Sequence, residues 1–405
     1  MLAKKNPKKY PLKLFFVIAI LGLVLRQWVS LQGYNCDLSG FAITAHLKLT
    51  GKNVYSEIAK FKSGYNYGPI WFHILAVIKF VQLKMGFNGM KSFHFMIATF
   101  LGVVDISLAI FAYLQSKKLI SFIWLLVNPL SILLTGFHSQ FDNLGIMFAA
   151  MSWVCLNRNS IISRKTLLIS GILLGFSLMT KHIFIFFPLW FLWYEKMNIK
   201  YRVGYLLIAY GLFVFGFIPY SLQPEGRAGI ILNVFQYNSF YGNGLFPRIL
   251  SIVFPEKIFT LFNWVPVFSG IKFFWAFAMI GIGRMAMKYT RESVLFIYVL
   301  SLIVFTVAMA DQYMAIPVLA CAVFWKYWES YFYCLLGSLV FVANQGTLMP
   351  IRHSFINRLS ELNIQWHHTQ VILALLLTRI MWNGIKEVRD RLAIDSSTSR
   401  LRTIF

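Results

Sequence analysis

Residues 12–38 read LKLFFVIAILGLVLRQWVSLQGYNCDL. From 12 to 30 the run is apolar apart from Lys13 near its start and Arg26, Gln27 and Ser30 near its end. Crossing the hydrocarbon core of a bilayer takes roughly 20 helical residues, so this stretch is long enough. It does not alternate between polar and apolar positions as a barrel strand would. Backbone groups in lipid must then be satisfied within the segment, which means a helix. Lys4, Lys5, Lys8, Lys9 and Lys13 lie at its beginning. Basic residues stay on the cytoplasmic side, so the first span is expected to run outward. Asp37 falls just beyond its outer end.

The rest of the chain has the same character. Hydrophobic residues make up 58% and charged residues 13% of 405, where soluble domains carry roughly 25% charged residues. Apolar runs recur from end to end. They predict an all-α, polytopic membrane protein with about twelve transmembrane helices. The basic start is like that of a signal peptide, but no small-residue cleavage site follows, so a retained span is expected. The formal charge of +24 would suit a nucleic-acid binder. Much of it lies in short loops and tails, where it orients the chain and meets anionic lipid. Membrane lipids are therefore expected partners and nucleic acid is not. Cys36, Cys155, Cys321 and Cys334 are scattered without metal-like spacing.

A single integral membrane domain is expected over 1–405. It begins with the span at 12–30 and a long first external loop at 31–93. A transmembrane module follows at 94–221, with spans near 94–115, 119–136, 143–156, 166–180, 183–195 and 203–221. A second large external loop covers 222–257. C-terminal spans occupy 258–383, near 258–283, 293–309, 314–326, 329–345 and 366–383, and a partly ordered cytoplasmic tail covers 384–405. The apolar run 69–83 is assigned to the membrane interface. A crossing there would put Lys117 and Lys118 outside and invert every later basic loop.

The threading gathers chemically useful side chains on the external face. They are Asp37, Tyr67, the His138-Ser139-Gln140-Phe141-Asp142-Asn143 turn, Lys181-His182, Arg227, Tyr241, Arg248, Asp311-Gln312-Tyr313, Arg352-His353 and His367-His368. Polar groups at membrane depth are costly and tend to line a cavity. Only 14 residues are acidic against 38 basic, which singles out Asp37. A surface acid or a helix cap is the plainer alternative for it. Arg26 precedes Asp37 by three helical turns, so the two would share a face if the helix continued. Asp105, inside the second span, is read as a buried structural partner or as part of the same cavity. Adjacent residues such as His367 and His368 do not face the same way on a helix, which argues against a metal pair.

Five segments taken in order resemble the GT-C superfamily of membrane glycosyltransferases that use polyprenyl-phosphate sugars. They are Asp37 after the first span; Tyr67-Gly68-Pro69; Asn128-Pro129 followed by His138-Ser139-Gln140-Phe141-Asp142; Lys181-His182-Ile183-Phe184; and Gly244 to Pro255, GLFPRILSIVFP. Within that group the chain is most similar to the dolichyl-phosphate-glucose-dependent glucosyltransferases of N-glycan assembly and their bacterial relatives. The resemblance covers residues 10–260. It implies helices lying along the membrane in the first external loop. It also implies a multi-pass protein of the bacterial inner membrane with a periplasmic site, or of the endoplasmic reticulum with a lumenal one. Many relatives carry a second acid near the first, and this chain does not.

The chemistry expected is inverting transfer of a hexose, glucose or mannose, from a polyprenyl-phosphate carrier to a glycan or glycolipid acceptor. Phosphate is already a good leaving group and needs positive charge rather than a proton donor. Arg248, Arg352 and His353 are the candidates to bind it, with Arg248 first because it falls in the resembling segment. Asp37 would be the general base, and one base without a nucleophile matches inverting logic. Tyr67, His138, Gln140, Asp142, Lys181 and His182 would bind sugar or acceptor. One acid makes a poor site for a hard cation, so no metal or other cofactor is expected to be required. A lipid-linked-sugar flippase or a secondary transporter is the rival class; transporters hold their charged residues at mid-membrane, often between inverted repeats.

Overall fold

The computed structural model describes residues 10–60, 65–158, 162–236, 265–289, 293–306, 310–345 and 366–402. Among these, every regular element is a helix. The first, α1 (Leu12–Ser30), coincides with the opening apolar run. The first external loop forms α2 (Cys36–Leu49), α3 (Val54–Lys60) and α4 (Pro69–Lys84). Next come the long α5 (Met90–Ser116), α6 (Leu119–Val127) and the short α7 (Pro129–Ile132), which continues as a π-turn over Leu133–Phe137. Then follow α8 (Asp142–Arg158), α9 (Arg164–Thr180), α10 (Phe187–Trp190), α11 (Ile199–Phe215), α12 (Ile218–Ser221) and α13 (Pro224–Ile230). Beyond residue 264 are α14 (Val265–Tyr289), α15 (Val294–Phe305), α16 (Val318–Val323), α17 (Trp328–Gln345) and α18 (Trp366–Arg402).

Among the described residues two helices, α1 and α5, are long and apolar enough to cross a membrane, and α6 with the 129–137 segment makes a third if the pair is one span bent by 47°. The bend has a covalent cause. Pro129 has no N–H and cannot continue the ladder of α6. Asn128 ends α6 and caps α7, its Oδ1 accepting from Ser131 N at 3.0 Å. A similar break divides the run expected as one span over 183–195. Short helical turns at His182–Phe184, α10 and Phe191–Trp193 replace it, with Pro188 inside the second. The 384–402 segment, expected to be only partly ordered, continues α18 without interruption to Arg402.

α9 packs between α8 and α11, α1 lies on α5 and the π-turn, and α2 lies on α4. α13 packs on α3, tying the first external loop to the segment after α11. Small residues let the α8–α9 pair close. Ser152 Oγ bonds Ser170 O at 2.8 Å, and Ser177 Oγ bonds Gly145 O at 2.7 Å. Interhelical contacts of this kind do the work in lipid, where apolar burial between helices gains little. On α1 the outward residues Leu12, Phe16, Val17, Ile20 and Val24 are all at least half exposed, an apolar surface suited to lipid. Gly68 shows a backbone approach that only glycine permits. A Cβ there would lie 1.8 Å from the Met179 carbonyl oxygen, so the entry to α4 rests directly on α9.

Candidate active site

Asp37 is the second residue of α2. Asn35 caps the helix through Oδ1, which accepts from Leu38 N at 3.3 Å. An acidic side chain in a first helical turn complements the helix dipole. Leu38, Phe41 and Ala45 are buried, which fixes the rotation of α2. Asp37, Phe41 and Thr44 then follow at helical spacing along one face. That face, with Gly40, Tyr65 and Tyr67, lines a cleft of about 320 Å³. The carboxylate is 31% exposed, so it meets both the cleft and the residues behind it. A Cβ added at Gly40 would meet nothing within 4 Å, so the helix is bare where the cleft opens.

The opposite wall comes from the turn after α7. Gly136 passes so close to α1 that a Cβ would lie 2.9 Å from the Arg26 carbonyl oxygen. The π-turn ends at Phe137, and Ser139 then takes φ +57°. That left-handed conformation is uncommon away from glycine and costs on the order of 1 kcal/mol or more. It reverses the chain between His138 and Gln140, and both side chains reach Asp37. Gln140 Nε2 donates to Asp37 Oδ2 at 3.2 Å, and His138 Nδ1 is 3.8 Å from the same oxygen. The same amide nitrogen lies 2.6 Å from His138 Nδ1 and 3.2 Å from Gln312 Oε1. An amide NH₂ has two hydrogens, so these acceptors share them.

Burial lowers the His138 imidazole to about 4, opposed by the Asp37 charge and assisted by Lys181. His138 is therefore neutral at pH 7, and its contact with Asp37 is not an ion pair. No cation lies within bonding distance of the Asp37 carboxylate among the described residues. His182 is likewise lowered to about 4 by burial and then by Lys181. Both histidines bind protons less well folded than unfolded. Their stabilising contribution is whole above pH 6.5 and disappears as pH falls through about 4. The melting temperature of the purified protein is expected to fall across that window. His182→Phe should flatten the fall, and an unchanged profile would mean that the ring is not held neutral.

Asp142 and Lys181, both expected to contact sugar, are placed behind the cleft. Lys181 Nζ bonds Asp142 Oδ2 at 2.7 Å, with the side chains 5% and 0% exposed. Three rings surround the ammonium: Tyr67 and Phe141 at 5.4 Å, and Tyr313 at 5.2 Å. Phe141 stacks on Trp71 at 4.1 Å. This buried pair holds the start of α8 to the end of α9, and its charges are spent on each other. Tyr67 serves both layers: it lines the cleft, and its ring lies 5.4 Å from the Lys181 ammonium. No hydrogen bond among the described residues joins His182 to Asp37; its Nδ1 is buried without a partner.

The structure thus brings together Asp37, Tyr67, His138 and Gln140. It adds Gln312 and Tyr313, whose polar turn between two apolar runs is visible in the sequence but carries no assigned role there. Arg248, Arg352 and His353, expected at the donor phosphate, lie outside the described residues, as does Tyr241. Asp105, mid-way along α5, belongs to a separate buried pair with Arg26. Among the described residues no three His, Cys, Asp or Glu side chains converge as metal ligands would. Comparison of the chain with protein-family models, with curated proteins and with solved structures found no match.

Proposed function

We propose that this chain is a polyprenyl-phosphate-sugar-dependent hexosyltransferase, spanning the membrane about twelve times with its N-terminus cytoplasmic. The observation that carries the reading is the placement of Asp37, an ionisable carboxylate on the wall of a cleft, beside neutral hydrogen-bonding groups. The acceptor hydroxyl would sit against the exposed edge of that carboxylate and give up its proton as it attacks the anomeric carbon. The bond from that carbon to the phosphate oxygen breaks, and the electron pair leaves on polyprenyl phosphate. Direct displacement inverts the anomeric centre. Gln140 holds Oδ2, and Oδ1 meets only the Cys36 thiol at 4.0 Å, a weak donor that an acceptor hydroxyl could displace. Tyr65 and Tyr67, both largely buried, line the same cleft and shape its wall.

Asp37 lies beyond the end of α1, in the first turn of α2, which favours a one-sided pocket over a transport path. Glucose or mannose as the sugar, and a lipid-linked or cell-surface glycan as acceptor, follow from the resemblance of the 10–260 segment. Mass spectrometry of surface glycans from cells with and without the gene provides the test. The deletion should remove one hexose from one glycan, and the purified protein should restore it in vitro from a polyprenyl-phosphate hexose, in excess EDTA. Identical glycan profiles together with no transfer in vitro would end the proposal.

A further inference from the structure

The hydrogen bonds around Asp37 are one donor short, and the shortage gives Gln312 a task. Gln140 is fully buried, and its Oε1 has no partner among the described residues. Its Nε2 faces three acceptors: His138 Nδ1 at 2.6 Å, Asp37 Oδ2 at 3.2 Å and Gln312 Oε1 at 3.2 Å. Turning the amide over would set its oxygen against all three and leave Nε2 unpartnered, so its orientation is fixed. An amide nitrogen carries two hydrogens, one fewer than these acceptors need. The shortest contact takes the first. At 2.6 Å there is no room for two hydrogens facing each other, so the neutral His138 ring accepts at Nδ1 and carries its own proton on Nε2. One hydrogen remains for two oxygens at equal distance.

Gln312 is held firmly enough to compete for it. It belongs to the turn Asp311–Ala315, which packs on α7 and α8. Met314 and Ala315 are buried, and the Tyr333 hydroxyl donates to the Met314 carbonyl oxygen at 3.1 Å. The ring of Tyr313 lies 5.2 Å from Lys181 Nζ. The turn is thus pinned on the C-terminal side of Gln312, and its side chain reaches Gln140 from a part of the chain beyond the 10–260 segment.

We propose that Gln312 is a positioning residue, the alternate acceptor for the Gln140 hydrogen that Asp37 releases when it becomes protonated. The catalytic part of this role rests on the transferase reading. While Asp37 is ionised its charge draws the hydrogen, since a charged acceptor binds more strongly than a neutral one. As the acceptor hydroxyl attacks, its proton passes to Asp37 Oδ1 and its O–H electron pair becomes the new bond to the anomeric carbon. The pair from the broken bond leaves on polyprenyl phosphate. Oδ2 is then the carbonyl oxygen of a neutral acid, a weaker acceptor than an amide oxygen. The hydrogen turns to Gln312 Oε1, already within reach, and a buried N–H keeps a good partner as the charge disappears.

Two measurements on the full chain in maltoside micelles test this. Thermal unfolding needs no substrate. Gln312→Met removes one oxygen and keeps the length of the side chain, and Asp37→Leu removes the other. Either variant leaves one acceptor for the hydrogen, and the two together leave none. The double variant is expected to lose roughly 2–4 °C more in Tm than the single losses summed. Transfer kinetics are the second measurement. Gln312→Met should lower kcat about fivefold with KM for the polyprenyl-phosphate donor unchanged, the size of one neutral hydrogen bond made in the transition state. Gln312→Glu restores an oxygen and should recover most of that loss, whereas a packing role would favour methionine over glutamate. Additive losses of Tm, or wild-type kcat in Gln312→Met, would overturn the proposal. Excess loss of Tm in a protein that transfers no hexose would establish the shared hydrogen and overturn the transferase reading alone.

Discussion

Asp37→Asn will lower kcat for hexose transfer by roughly 100- to 10,000-fold, the range that positioned general bases supply. The change removes one charge and keeps the shape. The amide oxygen of the new side chain would still accept a hydrogen bond from Gln140, so the 3.2 Å contact across the cleft survives. The side chain is 31% exposed, and no packing contact is lost. Melting temperature and KM for the polyprenyl-phosphate donor should therefore stay near wild type. A fall in kcat and kcat/KM together, without a change in KM, marks an interaction made only in the transition state. Asp37→Glu moves the carboxylate by one methylene and should retain a small part of the activity. Wild-type turnover in purified Asp37→Asn would remove Asp37 as the base. A collapse of donor binding with kcat intact would reassign it to binding.

Much of this arrangement is legible in the sequence, and the remainder is not for definite reasons. The helical class follows from composition, and α1 and α5 from unbroken apolar runs of sufficient length. The break at Asn128-Pro129 can be read because proline cannot continue a helix ladder. The π-turn after it cannot, since nothing in LLTGF distinguishes that winding from an ordinary helix. Asp37 stands out through the scarcity of acids, but its neighbours lie far along the chain. Gln140 is 103 residues away, and Gln312 is 172 from Gln140. No periodicity joins positions so distant. In the sequence Asp142 and Lys181 are individual polar residues at span ends. Their pairing across 39 residues turns two expected sugar ligands into a buried clasp. Arg26 shows the same limit. Its spacing places it on the face of Asp37 only if α1 continues, and α1 ends at Ser30.

That interruption assigns Arg26 a different duty, and from it comes the largest expected loss of stability. Arg26 and Asp105 are both fully buried, with Nε 2.7 Å from Oδ2. The guanidinium also donates to the carbonyl oxygens of Gly22 at 2.9 Å and Leu126 at 2.7 Å, and to Ser131 Oγ at 2.7 Å. Leu126 belongs to the last turn of α6, whose carbonyls lose their ladder partners where Pro129 intervenes. Arg26 thus caps the break that turns the chain toward His138 and Gln140. Asp105 in turn accepts from Asn143 Nδ2 at 2.6 Å and Thr135 Oγ1 at 2.9 Å, joining the far side of the same turn. Asp105→Ala would leave a buried guanidinium without its counter-charge, and breaking such a pair costs about 3–5 kcal/mol. Arg26→Met would leave the carboxylate equally exposed to that penalty and uncap α6. Replacing both, as Arg26→Met with Asp105→Leu, removes the charges together and should recover part of the loss. The recovery stays incomplete because methionine cannot donate to the Leu126 carbonyl. Thermal unfolding of Arg26→Met, Asp105→Leu and the double variant gives the coupling energy directly. Wild-type melting in Asp105→Ala, or simple additivity across the cycle, would show that the pair does not hold the turn. In the surviving folded fraction transfer should still be lowered, since Gln140 reaches Asp37 only if the turn behind it is held.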